Sequence, residues 1–381
     1  MQSAVRCSCG LCLSRVRYTG GMDRAATVRT AVLIGAGGSC FAQMPTVYSF
    51  FERVHWPPNA GLESACQEVA RRISILEGTN ENTHWPHFDA EKLFGYLELL
   101  EWAGRFDSRH LGLHIPNSSP AETNKVLGFL RREIVHIYGT PVDSAVLSAK
   151  APHRALLHVL DAFHPVGDPM AVFTTNYDLI LEQVLQEKDL VPLPSGGTLR
   201  VCTGFSAERQ RRWLPELFDD VPQDGERLVQ VVKLHGSATW KMDRDGLIDT
   251  NWGMPTDYDR LLYFGYKTIP EEEPFITLHN ILKKALLHCD AVVAVGFRFG
   301  DPYIRDLFDF ALRMNASLRV LCCLTKPPER GSHLRNLMDR FPSQVMLLTD
   351  HAGNAMKFGD PGFSDALRDT LTDSAKSRAT A

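Results

Sequence analysis

Residues 31–39 read Ala31-Val32-Leu33-Ile34-Gly35-Ala36-Gly37-Gly38-Ser39. A short apolar run rich in branched side chains ends abruptly in glycines, the pattern of a buried parallel strand that stops at a tight bend. Glycine at such a bend lets backbone N–H groups come close to a pyrophosphate, and a following helix N-terminus adds a favourable dipole. The stretch is not an ordinary dehydrogenase fingerprint, because G-x-G-x-x-G needs glycine where Cys40 stands.

Further along the chain, four more runs have the length and β-branched content of buried parallel strands: Met170–Thr174, Leu228–Leu234, Ala291–Gly296 and Leu318–Leu324. Val345–Thr349 is a sixth candidate. Helical stripes separate most of them, as in Leu278, Ile281, Leu282, Ala285 and Leu286, or Ile304, Leu307, Phe308, Ala311 and Leu312. The alternation predicts an α/β fold, a Rossmann-like, mostly parallel sheet with helices on both faces and an inserted helical lobe. The lobe is assigned to residues 47–165, too long for one crossover. Leu93, Leu97 and Leu100 form one stripe there, and Val126, Leu127, Leu130, Ile134 and Ile137 another. A second insert, residues 189–227, opens with Pro192, Pro194, Gly196 and Gly197 and is expected to be irregular and exposed. The organisation expected is a flexible extension over 1–27, one domain over 28–371 and a flexible tail over 372–381.

Three further motifs stand at predicted strand ends, the edge where open α/β sheets bind ligands. Thr174-Thr175-Asn176-Tyr177-Asp178 is the first, although Asp178 would also serve as a plain cap for the next helix. Lys233-Leu234-His235-Gly236-Ser237 is the second. Position singles out His235 from the 14 histidines, since an imidazole at this edge can act as a base near neutral pH. His84, His87, His153 and His158 are read as surface or packing residues. Gly296-Phe297-Arg298-Phe299-Gly300-Asp301-Pro302 is the third, with Asp301 and Pro302 as a helix start and the glycines leaving room for an adenosine ribose.

Composition narrows the partners. The 381 residues carry a formal charge of −4, with 44% hydrophobic and 23% charged residues, which gives no general attraction to nucleic acid or acidic membranes. The basic run Arg209-Gln210-Arg211-Arg212 is short and offset by Glu208 and Glu216, so it reads as a solvated face. No apolar stretch approaches the roughly 20 residues that span a bilayer. The nine cysteines, at 7, 9, 12, 40, 66, 202, 289, 322 and 323, are odd in number and partly sit in strand-like runs, as expected in a reducing compartment. Cys7, Cys9 and Cys12 cluster without a matching second ligand pair, so no metal is expected. The first 21 residues lack an apolar signal-peptide core, and Met22 offers an alternative start. A soluble, cytoplasmic protein is expected.

The four elements, in this order at four strand ends, resemble the sirtuin family. Gly35 to Ser39 match its Gly-Ala-Gly-x-Ser loop, which holds the NAD pyrophosphate. Pro45 falls where that loop continues to Gly-x-Pro, with Gln43 in place of the glycine. Thr174 to Asp178 match Thr-Gln-Asn-Ile-Asp, with Thr175 for Gln and Tyr177 for Ile, and His235-Gly236 match the catalytic His-Gly. Two departures weigh against a protein deacylase. The paired cysteines that bind structural zinc after the histidine are missing, and Thr46-Val47-Tyr48 stands where the family has Asp-Phe-Arg. The chain looks more like the sirtuin-like branch of bacterial anti-phage defence, which hydrolyses NAD, and Gly300-Asp301-Pro302-Tyr303-Ile304 fits that branch too.

The resemblance implies NAD as substrate, bound by Gly35, Ala36, Gly37, Ser39, Pro45, Thr175, Gly236, Ser237, Gly296 and Asp301. It implies that Asp178 holds the nicotinamide carboxamide; Asn176, with a donor and an acceptor on one amide, can orient a water at the ribose, and His235 would accept a proton from that water or from a ribose hydroxyl. It further implies a homo-oligomer, in some members with a helicase-like ATPase or another defence protein. Two other readings stay open: NAD-dependent protein deacylation or ADP-ribosylation, and a nucleotide sensor that consumes nothing.

Overall fold

The computed structural model describes residues 28–58, 61–78, 85–104, 120–143, 146, 153, 156–157, 161, 163–165, 167–186, 198–208, 211–250, 260–262, 272–350, 352–356, 358, 360 and 362–379. In chain order the strands are β1 (Thr30–Ile34), β2 (Met170–Thr174), β3 (Thr198–Cys202), β4 (Arg211–Arg212), β5 (Glu226–Lys233) and β6 (Gly236–Asp243). They continue as β7 (Gly246–Asp249), β8 (Arg260–Leu262), β9 (Ala291–Val295), β10 (Arg319–Cys323) and β11 (Val345–Leu347). The helices are α1 (Leu62–Leu76), α2 (Ala90–Gly104), α3 (Pro120–Gly139), α4 (Ile180–Gln186), α5 (Phe275–His288), α6 (Pro302–Met314), α7 (His333–Arg340) and α8 (Phe363–Ala379).

Seven strands form one sheet in the order β11-β10-β9-β1-β2-β5-β3, and every pairing in it is parallel. Alternation along each strand explains why both faces are covered. Ala31 and Leu33 of β1 join Val292 and Ala294 of β9 in a core sealed by α5, α6 and α7. Val32 and Ile34 face the other way and join Val293 and Val295 beneath α4 and α8. Leu282 and Phe308 are wholly buried in the first of these cores. Truncating Leu282 to alanine would cost about 2–5 kcal/mol.

From β1 the chain reaches β2 on one side, whereas β9, on the other side of β1, leads on to β10. Connections that diverge in this way leave a crevice at the carboxyl ends of β1 and β9. The helical lobe lies over that edge. Phe50, Phe51, Val69, Leu93, Leu97, Leu127, Leu130 and Ile134 make its core, which also takes in Tyr177, just past β2, and Ala238 of β6. The lobe therefore packs directly on the segments expected to carry the site.

Two expectations are corrected. Residues 189–227 are not simply irregular, because 198–202 form β3, the edge strand of the main sheet, in register with β5 from Thr198↔Glu226 to Cys202↔Gln230. Its length and the charged Arg200 hide it in the sequence. Leu199 and Val201 pack inward while Arg200 pairs with Asp220 at 2.8 Å and Glu226 at 3.0 Å. Pro192, Pro194, Gly196 and Gly197 lie outside the described residues. The last ten residues also differ from a tail, since α8 runs to Ala379. Phe363, Leu367 and Leu371, spaced by one helical turn, anchor it in the core and let the helix propagate. Residues 1–27, Cys7, Cys9 and Cys12 among them, lie outside the described residues.

An unexpected second sheet, β4-β7-β6-β8, is antiparallel. It begins where Gly236 adopts φ +86, which swings the chain out of β5 and straight into β6. Among the described residues no helix is long and apolar enough to cross a membrane.

Candidate functional site

The glycine-rich turns after β1 and β9 touch each other. Gly35 N donates to Val295 O at 2.9 Å and Gly37 N to Gly296 O at 3.2 Å. A Cβ on Gly37 would lie 2.8 Å from Gly296 Cα, and one on Gly296, whose φ is +60, would lie 2.5 Å from Gly37 Cα. Only two glycines allow this backbone contact. Residues 36–42 then wind as a 3-10 turn that buries Ser39 and ends on Gln43 at φ 60, with Gln43 N donating to Cys40 O at 3.0 Å. The left-handed conformation is kept at the position where the sirtuin pattern has glycine. Tyr138 of α3 fixes the next part of the loop by donating to Pro45 O at 3.2 Å.

At the end of β2, Thr174 Oγ1 donates to Ile34 O at 3.1 Å and accepts from Asn176 N at 3.0 Å. Asn176 Nδ2 donates to Gly35 O at 3.1 Å and to Ser39 Oγ at 2.8 Å. Both amide hydrogens are therefore spent on the loop, while the buried Oδ1 has no partner among the described residues. Asp178 Oδ1 accepts from Ile180 N at 3.1 Å and caps α4. Below it, the buried Lys233 donates to Asp178 O and, at 2.8 Å, to Glu182 Oε1. Burial pushes the Glu182 carboxyl up against the pull of Lys233. Removing Lys233 would strand that carboxylate, at about 3–5 kcal/mol.

At the end of β5, His235 is 2% exposed and its Nε2 lies 3.0 Å from Asp301 Oδ2. The other oxygen, Asp301 Oδ1, accepts from Ile304 N at 2.9 Å and caps α6. Asp301 thus meets His235 and also caps its own helix, the helix start expected of it. Ser237 is wholly buried and pairs with Thr239 Oγ1 at 3.2 Å.

A small cavity of about 50 Å³, open to solvent, lies at this edge. Ala36, Ser39, Thr175, Asn176, Tyr177 and Asp178 line it from the sheet, Pro45 and Val47 from the loop, and Glu91 and Tyr138 from the lobe. Of the residues expected at the site, Gly35 and Gly37 shape the loop that forms one wall. His235, Gly236, Ser237, Gly296 and Asp301 are not on the wall. The His235 ring is 6.2 Å from that of Tyr177, which is.

Burial raises the Asp89 carboxyl, Glu91 adds to that shift, and the amides of Lys92 and Glu91 oppose it. Partial burial raises the Cys40 thiol, and the exposed Arg298 guanidinium counters that shift. Glu91 and Tyr138 sit in no sequence motif and reach the cavity only through the packing of the lobe, whereas Val47 stands in the stretch that replaces the family's Asp-Phe-Arg. Arg298 lies within the quoted Gly296–Pro302 motif, where a cation beside a predicted phosphate turn was the available signal. Among the described residues no group of His, Cys, Asp and Glu could hold a metal ion.

Residues 170–340 match the family model described as a SIR2-like domain. Among solved structures, a Sir2 homolog–NAD complex is 10% identical, with a TM-score of 0.38 over 93% of this chain and 91% of that one. A mutant Sir2 homologue in complex with 2'-O-acetyl ADP ribose is also 10% identical, with a TM-score of 0.41 over 92% and 94%. No curated protein matches the chain.

Proposed function

Because the chain is sirtuin-like, carrying a SIR2-like domain over residues 170–340, we propose that it is an NAD glycohydrolase that splits NAD into nicotinamide and ADP-ribose. The observation that carries this reading is the Asn176 amide. Its nitrogen is locked onto Gly35 O and Ser39 Oγ, so the group it has left beside the cavity is the buried acceptor Oδ1, which has no partner among the described residues. An acceptor held that way suits a water or ribose hydroxyl that must be aimed at the anomeric carbon. The paired glycine turns, with room for no Cβ, fit a loop that a pyrophosphate approaches closely, and Arg298, whose charge acts on Cys40 of that loop, is a cation available to it.

In this mechanism Asp178, on the wall and rigid through its cap on α4, accepts from the nicotinamide carboxamide. The nicotinamide–ribose bond breaks with its electron pair going to the ring nitrogen, and positive charge passes to the sugar carbon. Asn176 Oδ1 orients the water whose oxygen bonds to that carbon. His235, held by Asp301, takes the water's proton, a role worth about 10²–10⁴-fold. Since His235 is buried and is not on the cavity wall, its ring must become accessible as the sugar seats.

Depletion of NAD in anti-phage defence is the cellular role we propose, supported by the motif resemblance alone. A free-running NAD hydrolase would kill its host, so we also propose control by self-association or by a defence partner. Light scattering coupled to size exclusion would count against self-association if the active species were a monomer.

The burial of His235 favours a second reading, a sensor that binds the nucleotide and leaves it intact. Incubation of purified protein with NAD and no acceptor separates the two. Nicotinamide release without any peptide supports the hydrolase; saturable binding without release supports the sensor; release only with an acylated or nucleophilic protein points to transfer.

A further inference from the structure

The cavity wall comes from two layers that meet only in the folded chain. Asn176 and Asp178 stand on the sheet edge, and Glu91 faces the same cavity from the first turn of α2 in the lobe. Glu91 and Asp178 are the two carboxylates among the residues lining it.

The position of Glu91 is fixed from several sides. Asp89 Oδ1 accepts from the amides of Glu91 at 2.9 Å and Lys92 at 3.3 Å, which caps the helix. Ala90 N donates to Val47 O at 3.0 Å, tying the start of the helix to another residue of the wall. Leu93 and Phe94 follow directly and are buried in the lobe core. The backbone that carries Glu91 is thus held in place without help from a ligand.

We infer that Glu91 is a further catalytic residue, a carboxylate supplied by the lobe that stabilises the positive charge of the nicotinamide ribose as the glycosidic bond breaks, and so makes the site selective for the oxidised dinucleotide. This rests on the NAD-hydrolase reading. The charge begins on the oxidised nicotinamide ring and moves to the sugar carbon, and the leaving electron pair neutralises the ring. A carboxylate fixed beside that path, in a half-buried wall of low dielectric, favours the cationic transition state. A reduced nicotinamide carries no such charge and gains nothing from it. The field of Glu91 already reaches its neighbours, since it helps raise Tyr138, Tyr177 and Asp89, after burial in each case.

The test compares wild type with Glu91→Gln, which keeps the shape and removes the charge, using NAD turnover and inhibition by NADH. We expect kcat for NAD to fall about 10-fold or more, with inhibition by NADH unchanged and the unfolding temperature kept. Glu91→Asp should recover part of the loss. If Glu91→Gln turned over at the wild-type rate, or if it weakened NADH inhibition as much as it affected NAD, the inference would be overturned and the residue would have only a packing role. Absence of NAD turnover in the wild type would instead overturn the hydrolase reading, and this inference with it.

Discussion

One oxygen of Asp301 lies 3.0 Å from His235 Nε2 while its other oxygen accepts the amide of Ile304 at 2.9 Å. A single carboxylate thus ties the imidazole at the end of β5 to the first turn of α6. The two duties separate by substitution.

Asp301→Asn should keep the cap, because asparagine caps helices as well as aspartate, and lose the charge that holds His235. We expect turnover to fall by about 10²–10⁴-fold with little change in unfolding temperature. Asp301→Ala should lose about 1 kcal/mol more in stability. Equal turnover in Asp301→Asn and wild type would show that His235 is not the base.

Gly296→Ala should destabilise strongly, by about 2 kcal/mol or more. The added methyl meets Gly37 backbone at 2.5 Å in a left-handed conformation. Gly300→Ala, four residues on, meets nothing within 4 Å and should be near neutral. Urea denaturation of both variants checks the contrast, and similar midpoints would contradict the close contact of the two turns.

Ser39→Ala removes one of the two acceptors that lock Asn176 Nδ2 and leaves the other, Gly35 O. The amide can then rotate, so kcat should drop more than KM rises, by about 10-fold. A change confined to KM would mean that Ser39 only helps bind substrate.

Burial lowers His153 and His164 to about 4. Each is depressed below its unfolded value near 6.5, so the stability it allows is fully present above about pH 6.5. It is lost as pH falls toward 4, because the unfolded chain takes up protons that the native state refuses. Between pH 7 and pH 5 this should cost on the order of 1–2 kcal/mol per histidine. His153 sits between the rings of Phe41 and Phe358, at 5.5 and 5.1 Å, so His153→Leu should fold and show a shallower pH slope. Urea midpoints at pH 7 and pH 5 test it, and an unchanged slope would count against the assignment.

The main sheet was readable because its strands are buried on both faces, as Ala291–Val295 shows with five buried residues in a row. The lobe's helices were readable from stripes such as Leu93 and Leu97. By contrast, β3 breaks its pattern with Arg200, and β6 follows β5 with only Leu234 and His235 between, so one apolar run hid a change of sheet. Glu91 belongs to a helix whose sequence speaks only of packing, and Asp301 stands 66 positions from His235. Contacts of that kind exist only in three dimensions. The four strand-end motifs, in turn, carried the family because each had to be short, local and fixed in composition.

NAD hydrolysis at Asn176 is tested most directly by incubating purified protein with NAD, without peptide, and separating the products by chromatography, beside the same run with Asn176→Ala. We expect equal amounts of nicotinamide and ADP-ribose from the wild type and neither from a folded Asn176→Ala. Undiminished NAD in the wild-type run, or undiminished cleavage by the variant, would contradict this assignment.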